Sequence, residues 1–244
     1  MRHPFFHSSR PLVFAHRGGA ALAPENTMAA FDHAVSLGVD GLELDVRLSS
    51  DGEVVVHHDR TLERTTSLRG PVAGRTAGEL GRAGVPTLRS VLERHRAVRV
   101  IVEMKINRAE FGLRVLAAVR AAGAIERVCL GSFGRIVVRA VRSAEPAVAT
   151  SAAREEVRWA LYRSWCRWPV SRARYSGYQV PEWAGRTRVV SPQFVHDAHR
   201  FGLAVQVWTV DNVDDARRLL NWGVDALITD RPDLMMPLVA AGRS

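Results

Sequence analysis

Ionisable residues form four clusters in this sequence, each at the point where a short apolar, β-like run ends. The clusters are His16-Arg17-Gly18-Gly19, Glu43-Leu44-Asp45, His57-His58-Asp59 and Glu103-Met104-Lys105. Polar groups at the ends of buried strands are costly unless they are paired, so these clusters need a chemical or structural reason. Active sites of parallel α/β barrels lie at the carboxyl ends of the strands. We therefore expect the four clusters to meet at one end of a barrel.

Three of these carboxylates could hold a metal ion. Glu43 and Asp45 are two residues apart, and alternate residues of a strand point to the same face. Converging carboxylates repel one another unless a cation neutralises them, and oxygen ligands suit a hard divalent ion such as Mg²⁺ or Ca²⁺. With Glu103, the pair could form such a site. The alternative is that the three carboxylates pair with nearby arginines, and spacing does not separate the two interpretations.

The two histidines indicate which reaction the metal site could serve. Cleavage of a phosphodiester needs a base for the nucleophile, an acid for the leaving alkoxide and positive charge for the phosphoryl oxygens. His16 and His58 titrate near neutrality and fit the first two roles. Arg17 and Lys105 fit the third, together with a metal ion as Lewis acid. Strand alternation should turn His57 away from His58, and we predict that His57 packs.

We predict that His16 is the general base and His58 the general acid of the first step. The roles reverse in a second step if a cyclic phosphate forms by attack of a substrate hydroxyl. Direct attack by water is equally compatible with these residues, and detection of a cyclic product separates the two routes.

Several motifs occur in a fixed order along the chain. They are His16-Arg17-Gly18-Gly19, Pro24-Glu25-Asn26-Thr27, Glu43-Leu44-Asp45-Val46, Asp51-Gly52, His58-Asp59 with Thr61-Leu62 and Arg64-Thr65-Thr66, Glu103-Met104-Lys105, Val207-Trp208-Thr209-Val210, Gly223-Val224-Asp225 and Thr229-Asp230-Arg231-Pro232. With this set, residues 11–235 resemble the glycerophosphodiester phosphodiesterase family of the phosphatidylinositol-phospholipase-C-like superfamily. The resemblance implies a barrel, hydrolysis of glycerophosphodiesters to sn-glycerol 3-phosphate and an alcohol, and dependence on a divalent metal ion.

The resemblance also implies a role for each matching residue. It implies three metal ligands, an acid–base pair and two phosphate contacts, which are Glu43, Asp45 and Glu103, then His16 and His58, then Arg17 and Lys105. Glu25 and Asn26 would support the site from a helix N-terminus. Trp208 would form an aromatic surface beside the glycerol, although packing at the barrel mouth explains an aromatic residue at this position equally well. Asp230 is expected to be a capping or arginine-pairing group.

The fold predicted from the pattern of elements is α/β, a single-domain (β/α)₈ TIM barrel over residues 1–244. β-rich runs alternate with amphipathic helical runs, and the length is close to the roughly 250 residues of such barrels. Nine strands compete for eight places, at Leu12–His16, Gly41–Val46, Val54–His57, Val98–Lys105, Arg127–Ser132, Ala147–Thr150, Arg188–Ser191, Ala204–Thr209 and Ala226–Thr229. The weakest is Ala147–Thr150. Helices are predicted at Thr27–Leu37, Thr87–His95, Glu110–Ala122, Ile136–Ala144, Pro192–Phe201 and Val213–Trp222.

Two segments interrupt this alternation. Residues 60–86 are expected to form a short cap insertion after strand three, small enough for the family to admit bulkier head groups or lysolipids. This leaves lysophospholipase D-like hydrolysis, or a barrel that only binds phosphoesters, as alternatives. Residues 155–181 are the second segment. Its part from 155 to 170 holds Trp159, Tyr162 and Cys166 on one helical face, with Trp165 and Trp168 nearby. A peripheral membrane contact is one interpretation, and a helix packed on the barrel is the favoured one.

Composition bears on partners and location. The formal net charge is +9, which favours anionic partners, but the arginines are spread along the chain and we expect no nucleic-acid partner. Lys105 is the only lysine, which supports a specific role for it. Cys129 and Cys166 have no metal-ligand spacing and are expected to be reduced thiols. No secretory or transmembrane run is visible, so we expect a cytoplasmic protein. Nothing in the sequence predicts the oligomeric state.

Overall fold

Eight parallel strands form a barrel in the computed structural model, which describes residues 2–166 and 173–241. The barrel strands are β1 (Leu12–His16), β2 (Gly41–Leu48), β4 (Arg99–Met104), β5 (Val128–Gly131), β6 (Ala149–Thr150), β7 (Gly177–Pro181), β10 (Ala204–Trp208) and β11 (Ala226–Thr229). Their order is β6-β5-β4-β2-β1-β11-β10-β7, and a parallel bridge between Ser151 and Gly177 joins the two ends. The predicted TIM barrel is confirmed.

Two of the predicted barrel strands are wrong. β3 (Val54–Val56) pairs antiparallel with β2 and lies outside the barrel. Only residues 49–53 separate the two strands, whereas a parallel crossover needs a dozen or more. The predicted strand Arg188–Ser191 is replaced by β9 (Thr187–Arg188), which forms a small hairpin with β8 (Trp183–Ala184).

The sixth barrel strand along the chain, β7, lies in the segment that the sequence left irregular. β7 pairs with β10 along its whole length, with Gln179 opposite Gln206. The inward-facing amide of Gln179 contacts that of Gln206 at 2.8 Å, so this strand lacks the apolar run by which its neighbours are recognised. In contrast, the weakest predicted strand, Ala147–Thr150, does contribute β6.

Helices cover the outside of the barrel. They are α1 (Met28–Ser36), α2 (Ala77–Arg82), α3 (Leu88–Arg94), α4 (Ala109–Ala121), α5 (Arg135–Ala144), α6 (Arg154–Trp165), α7 (Pro192–Arg200), α8 (Val213–Asn221) and α9 (Pro232–Ala241), with short 3₁₀ turns at Pro4–Phe6, Val72–Gly74 and Ile125–Arg127. All six predicted helices are present, because each has a clear apolar stripe and most have a capping side chain. Thr27, for example, accepts a hydrogen bond from the amide of Ala30 at the start of α1. Among the described residues, no helix is both long and apolar enough to cross a bilayer.

The barrel interior changes from apolar to polar along its axis. The lower layers hold Phe14, Ile101 and Ile228, and Phe5 from the first 3₁₀ turn packs beneath Phe14 with ring centroids 6.1 Å apart. A Cβ on Gly41 would lie 2.4 Å from the Phe14 ring, so only glycine fits beside it. Above this apolar plug, charged side chains gather at the carboxyl ends of the strands.

The insertion after β3 has a small core of its own. Leu62, Val72, Leu80 and Val85 are buried together against Val55 of β3. The segment therefore packs as a compact extension of the second βα unit, with α2 inside it. Because β3 is not a barrel strand, the insertion follows the second barrel strand, not the third as predicted.

Candidate active site

Strand register brings the predicted site residues to one mouth of the barrel. His16 of β1 pairs with Glu43 of β2, and Asp45 of β2 pairs with Glu103 of β4. Paired residues of parallel strands point to the same face, so all four face inward. They border a cleft of about 1410 Å³. Of the site residues predicted from the sequence, those that line it are His16, Arg17, Glu43, Asp45, His58, Glu103, Lys105 and Trp208.

Asp45 is the centre of an ion-pair network. Its Oδ1 lies 2.8 Å from Nζ of Lys105, and its Oδ2 lies 3.2 Å from Nε of Arg17. The same Oδ2 accepts a hydrogen bond of 3.0 Å from the side-chain amide of Asn26, behind the cleft. Burial alone would raise the pKa of Asp45, but Lys105 and then Arg17 outweigh it and lower that pKa. Asp45 thus pairs with Arg17, as expected under the alternative in which the carboxylates pair with nearby arginines.

Glu43 and Glu103 have far less compensation. Burial, reinforced by the charge of Asp45, raises the pKa of Glu43 to about 7. Burial also raises the pKa of Glu103 to about 8, although Lys105 opposes it. Glu103 Oε1 is buried without a hydrogen-bond partner, and Glu43 Oε2 accepts from the amide of Arg17 at 3.1 Å. Two buried carboxylates with raised pKa values mark a place that lacks positive charge.

These carboxylates fit a hard divalent cation by the chemistry of their atoms. The donors are all oxygens, one of them is an orphaned buried atom, and the surroundings are short of a cation. Asp45 retains unused lone pairs because a carboxylate has about four acceptor positions. Within residues 2–166 and 173–241, no three His, Cys, Asp or Glu side chains already stand in a metal-binding arrangement. Binding would therefore require the glutamate side chains to adjust.

Each of the two site histidines holds a carboxylate through Nδ1. His16 Nδ1 lies 2.8 Å from Oδ1 of Asp230, and His58 Nδ1 lies 2.7 Å from Oδ1 of Asp59. A carboxylate accepts but does not donate, so Nδ1 carries the hydrogen and Nε2 is the working nitrogen of each ring. The Nε2 of His16 is 3.9 Å from Oε2 of Glu43.

The two imidazoles have pKa values that move in opposite directions. For His16, burial lowers the pKa, but Glu43 and then Asp230 outweigh it, so the net change is upward. For His58, burial is the largest effect and lowers the pKa, against the opposing charges of Asp45 and Asp59. In the absence of a cation, His16 therefore stays protonated to a higher pH than His58.

His57 behaves as strand alternation predicts. It is buried outside the cleft, and its Nε2 lies 3.0 Å from the carbonyl oxygen of Thr61. Its neighbour His58 reaches the cleft by an unexpected route. β3 returns antiparallel to the rim, and the His57 amide bonds the carbonyl of Asp45, so His58 arrives at the level of that carboxylate.

Arg64 of the insertion connects both sides of the site. Its Nε donates to Oδ2 of Asp59 at 2.5 Å, and its NH1 and NH2 donate to the two oxygens of Glu25 at 2.8 and 2.7 Å. Glu25 also accepts from Arg17 at 3.1 Å. The chain of contacts therefore runs from His58 through Asp59, Arg64 and Glu25 to the cationic group beside Asp45.

Sequence reasoning missed Asp59 and Arg64, and it misassigned Asp230. Both Asp59 and Arg64 lie in the motifs that resemble the family, but no role was inferred for either residue from the sequence. Asp230 was expected to cap a helix or pair with arginine, and that expectation is wrong because its carboxylate contacts His16. Arg231 pairs instead with Asp233 at 2.8 Å.

Aromatic side chains border the outer part of the cleft. Trp208 packs edge-to-face with Phe133, with ring centroids 6.1 Å apart. Trp159, Tyr162 and Trp165 of α6 also line the cleft and are exposed. The opposite face of α6 packs on the barrel, as favoured, where Ser164 donates to Asp197 of α7 at 2.6 Å. Trp168 lies outside the described residues.

A (β/α)₈ barrel with carboxylates, histidines and cationic groups gathered at the carboxyl ends of its strands defines a barrel hydrolase of phosphate esters. The chain belongs to the glycerophosphoryl diester phosphodiesterase family, whose model matches residues 16–234. It is thus a phosphoric diester hydrolase, as the sequence motifs predicted.

Similar proteins agree with this assignment. The chain is 32% identical to a glycerophosphodiester phosphodiesterase of Caldanaerobacter subterraneus subsp. tengcongensis, over 96% of this chain and 99% of the relative. The crystal structure of glycerophosphodiester phosphodiesterase from Agrobacterium tumefaciens has a TM-score of 0.73 and 29% identity, covering 92% of this chain and 98% of that one. A phosphodiesterase from Oleispira antarctica, in complex with the product sn-glycerol 3-phosphate, has the same fold, with a TM-score of 0.76, 24% identity and coverage of 95% and 97%.

Proposed function

We propose that this enzyme hydrolyses glycerophosphodiesters to sn-glycerol 3-phosphate and an alcohol, using a divalent cation, Mg²⁺ or Ca²⁺, and the pair His16 and His58. The observation that carries the proposal is the meeting of two imidazoles, each with Nδ1 on a carboxylate, with the buried acidic group at one barrel mouth. The sn-glycerol 3-phosphate bound to the Oleispira antarctica relative supports the same product here.

Glu43, Asp45 and Glu103 would hold the cation. Once bound, it would act as a Lewis acid on a phosphoryl oxygen and supply the positive charge that the buried glutamates lack. The unpartnered oxygen of Glu103 and the raised pKa values of Glu43 and Glu103 support this role.

Arg17 and Lys105 would bind the phosphoryl oxygens. Both groups line the cleft and are held on Asp45, at 3.2 and 2.8 Å. A guanidinium and an ammonium fixed in this way need no reorganisation when negative charge develops on the phosphoryl group. Glu25 and Asn26 support them from behind, through Arg17 and Asp45 respectively. The indole ring of Trp208 would pack beside the glycerol of the substrate.

His16 acts as base and His58 as acid in the proposed first step. Glu43 is one cause of the raised pKa of His16, and a bound cation would offset its charge, which would favour the neutral imidazole that a base requires. The base takes a proton from the nucleophile at its Nε2, and the acid gives one to the leaving alkoxide. The nucleophile is water or a glycerol hydroxyl, and a cyclic glycerophosphate is formed only in the second case.

One comparison of leaving groups tests the assignment of acid and base. A diester that releases p-nitrophenolate needs little protonation, whereas an alkyl alcohol needs a general acid. We expect His58→Ala to lose about 100-fold or more in kcat/KM on an alkyl diester and much less on the nitrophenyl diester. His16→Ala should lose activity on both. The reverse pattern would exchange the two roles, and full activity of both variants would refute the histidine pair.

An assay of glycerol 3-phosphate release, with and without a chelator, tests whether the activity depends on a divalent metal ion. The wild-type enzyme should be inactive in excess chelator and regain activity with Mg²⁺ or Ca²⁺. Glu103→Gln, which keeps the shape of the side chain, should need a much higher ion concentration for half-maximal activity. Undiminished activity after exhaustive chelation would contradict a divalent cation in this site.

A further inference from the structure

Exposed aromatic side chains are concentrated around the active-site cleft. Among the described residues, Phe133, Trp159, Tyr162, Trp165 and Trp183 are 46% to 65% exposed, and all five line the cleft. We call these five residues the aromatic wall. Large apolar groups that stay exposed on one continuous surface mark ligand or interaction sites.

The aromatic wall is continuous with the phosphodiester site. Trp208, proposed to lie beside the glycerol, packs against Phe133 with ring centroids 6.1 Å apart. The guanidinium of Arg154 lies over the ring of Phe133, 4.9 Å from its centroid, and Arg154 begins α6, which carries Trp159 and Trp165. A substituent on the substrate's glycerol would therefore pass along Trp208 and Phe133 and reach α6.

The size of the cleft and the ring geometry indicate what occupies this outer part. The volume of about 1410 Å³ exceeds the roughly 300–1,000 Å³ of pockets for small ligands. A glycerophosphodiester with a small head group would leave much of it empty. Trp159 and Tyr162 meet at 89°, and Phe133 and Trp208 at 84°. Edge-to-face rings offer no parallel pair for a flat aromatic ligand, but they form an apolar surface that suits a flexible aliphatic chain.

We propose that the aromatic wall binds an acyl chain carried by the substrate's glycerol, so that single-chain lysophospholipids are preferred substrates of this site. The inference rests on the proposed function, because the phosphodiester anchors the chain. In the net reaction, by either route, the bond from phosphorus to the head-group oxygen breaks, water supplies the oxygen that replaces it on phosphorus, and the head-group oxygen takes a proton. The acyl ester is untouched, and the products are an acylglycerol phosphate and the head-group alcohol.

Choline release provides one assay for substrates with and without the chain. Glycerophosphocholine and octanoyl lysophosphatidylcholine, the latter kept below its micelle concentration, are compared with the full-length enzyme and the same metal ion. We expect a higher kcat/KM for the acylated substrate. Combined Trp159→Ala and Trp165→Ala should lower the ratio of the two kcat/KM values about tenfold or more. Phenylalanine at both positions should restore most of the ratio.

Control variants and outcomes separate the two proposals. Phe201→Ala removes an exposed aromatic group away from the cleft and should leave the ratio unchanged. Glycerophosphocholine hydrolysis without any preference for the acylated substrate, or equal losses on both substrates in the tryptophan variant, overturns the chain subsite but leaves the proposed function. If neither substrate releases choline, the proposed function fails for choline esters and the preference for acylated choline esters fails with it. A preference seen only on phosphatidylcholine vesicles, with the tryptophan variant impaired in vesicle binding alone, overturns the subsite in favour of a membrane contact.

Discussion

The imidazole of His16 and the carboxylate of Asp230 are joined by a contact of 2.8 Å across 214 residues of sequence. His16 ends β1 and Asp230 follows β11, and these strands are neighbours in the barrel. The contact uses Nδ1 and leaves Nε2 directed at Glu43. Asp230 thus acts on the reaction through the orientation and charge of the imidazole, as a positioning residue.

Asp230→Asn tests this relationship. We expect kcat to fall at least about tenfold with little change in KM, because the amide no longer fixes the tautomer and orientation of His16. Loss of the negative charge also lowers the pKa of His16. Because the base must be neutral, the acidic limb of the kcat/KM profile should move to lower pH. Asp233→Asn, which removes a carboxylate paired with Arg231, is the matched control. An unmoved profile for Asp230→Asn would show that Asp230 does not tune His16.

Arg64 is expected to position both sides of the site. Arg64→Met breaks the contacts to Asp59 and Glu25 together, so kcat should fall about tenfold while the melting temperature changes little, since the side chain is half exposed. Arg64→Lys should recover only part of the activity, because one ammonium cannot reproduce three directed contacts. The control is Arg69→Met, an exposed arginine of the same insertion. Steady-state kinetics and thermal melts check both points, and equal effects of the Arg64 and Arg69 variants would contradict the assignment.

Stability of the metal-free enzyme should fall as pH rises. Glu43 and Glu103 have pKa values of about 7 and 8 when folded, against 4.5 as ordinary glutamates. Above pH 4.5 the unfolded chain has released protons that the folded chain still holds, so unfolding is favoured until both glutamates ionise near pH 8. We expect the free energy of unfolding in chelator to drop by at least about 2 kcal/mol between pH 5 and pH 8 from these groups.

Urea titrations at a series of pH values measure this dependence. Glu103→Gln should flatten it, because the amide has no proton to release over this range. Addition of Mg²⁺ at pH 8 should restore stability by binding the ionised folded form. A stability that rises through this pH range in chelator, or one that Mg²⁺ leaves unchanged, would run against the proposed cation site.

Asn26 combines a left-handed backbone with a site contact. Its φ is +58°, and its side-chain amide donates to Asp45 at 3.0 Å. Glycine keeps the backbone conformation and loses the contact, whereas alanine loses both. We expect Asn26→Ala to be less stable than Asn26→Gly by about 1 kcal/mol, with similarly reduced activity in both. Equal stability of the two variants in denaturant titrations would mean that the backbone conformation relaxes.

Local spacing and motif order in the sequence identified most of the charged residues that line the cleft. The i, i+2 pair Glu43 and Asp45 had to share a face, and the ordered motifs around them named the remaining residues. The cluster at His58 was located at the right place for the wrong reason, because β3 is not a barrel strand. The antiparallel pairing of β2 and β3 brings His58 back to the rim. That pairing follows from the short connection at residues 49–53, which is too short for a parallel crossover.

The sequence by itself determined the barrel class, six of the helices and the polar groups at the barrel mouth, because periodicity and strand-end chemistry are local properties of the chain. Only the tertiary structure decided that Asp230 holds His16, that Arg64 links Asp59 to Glu25, and that the aromatic face of α6 borders the cleft. Those contacts join residues far apart in the chain. Their existence depends on strand register and helix orientation, which the packing of the whole barrel sets and which no local pattern records.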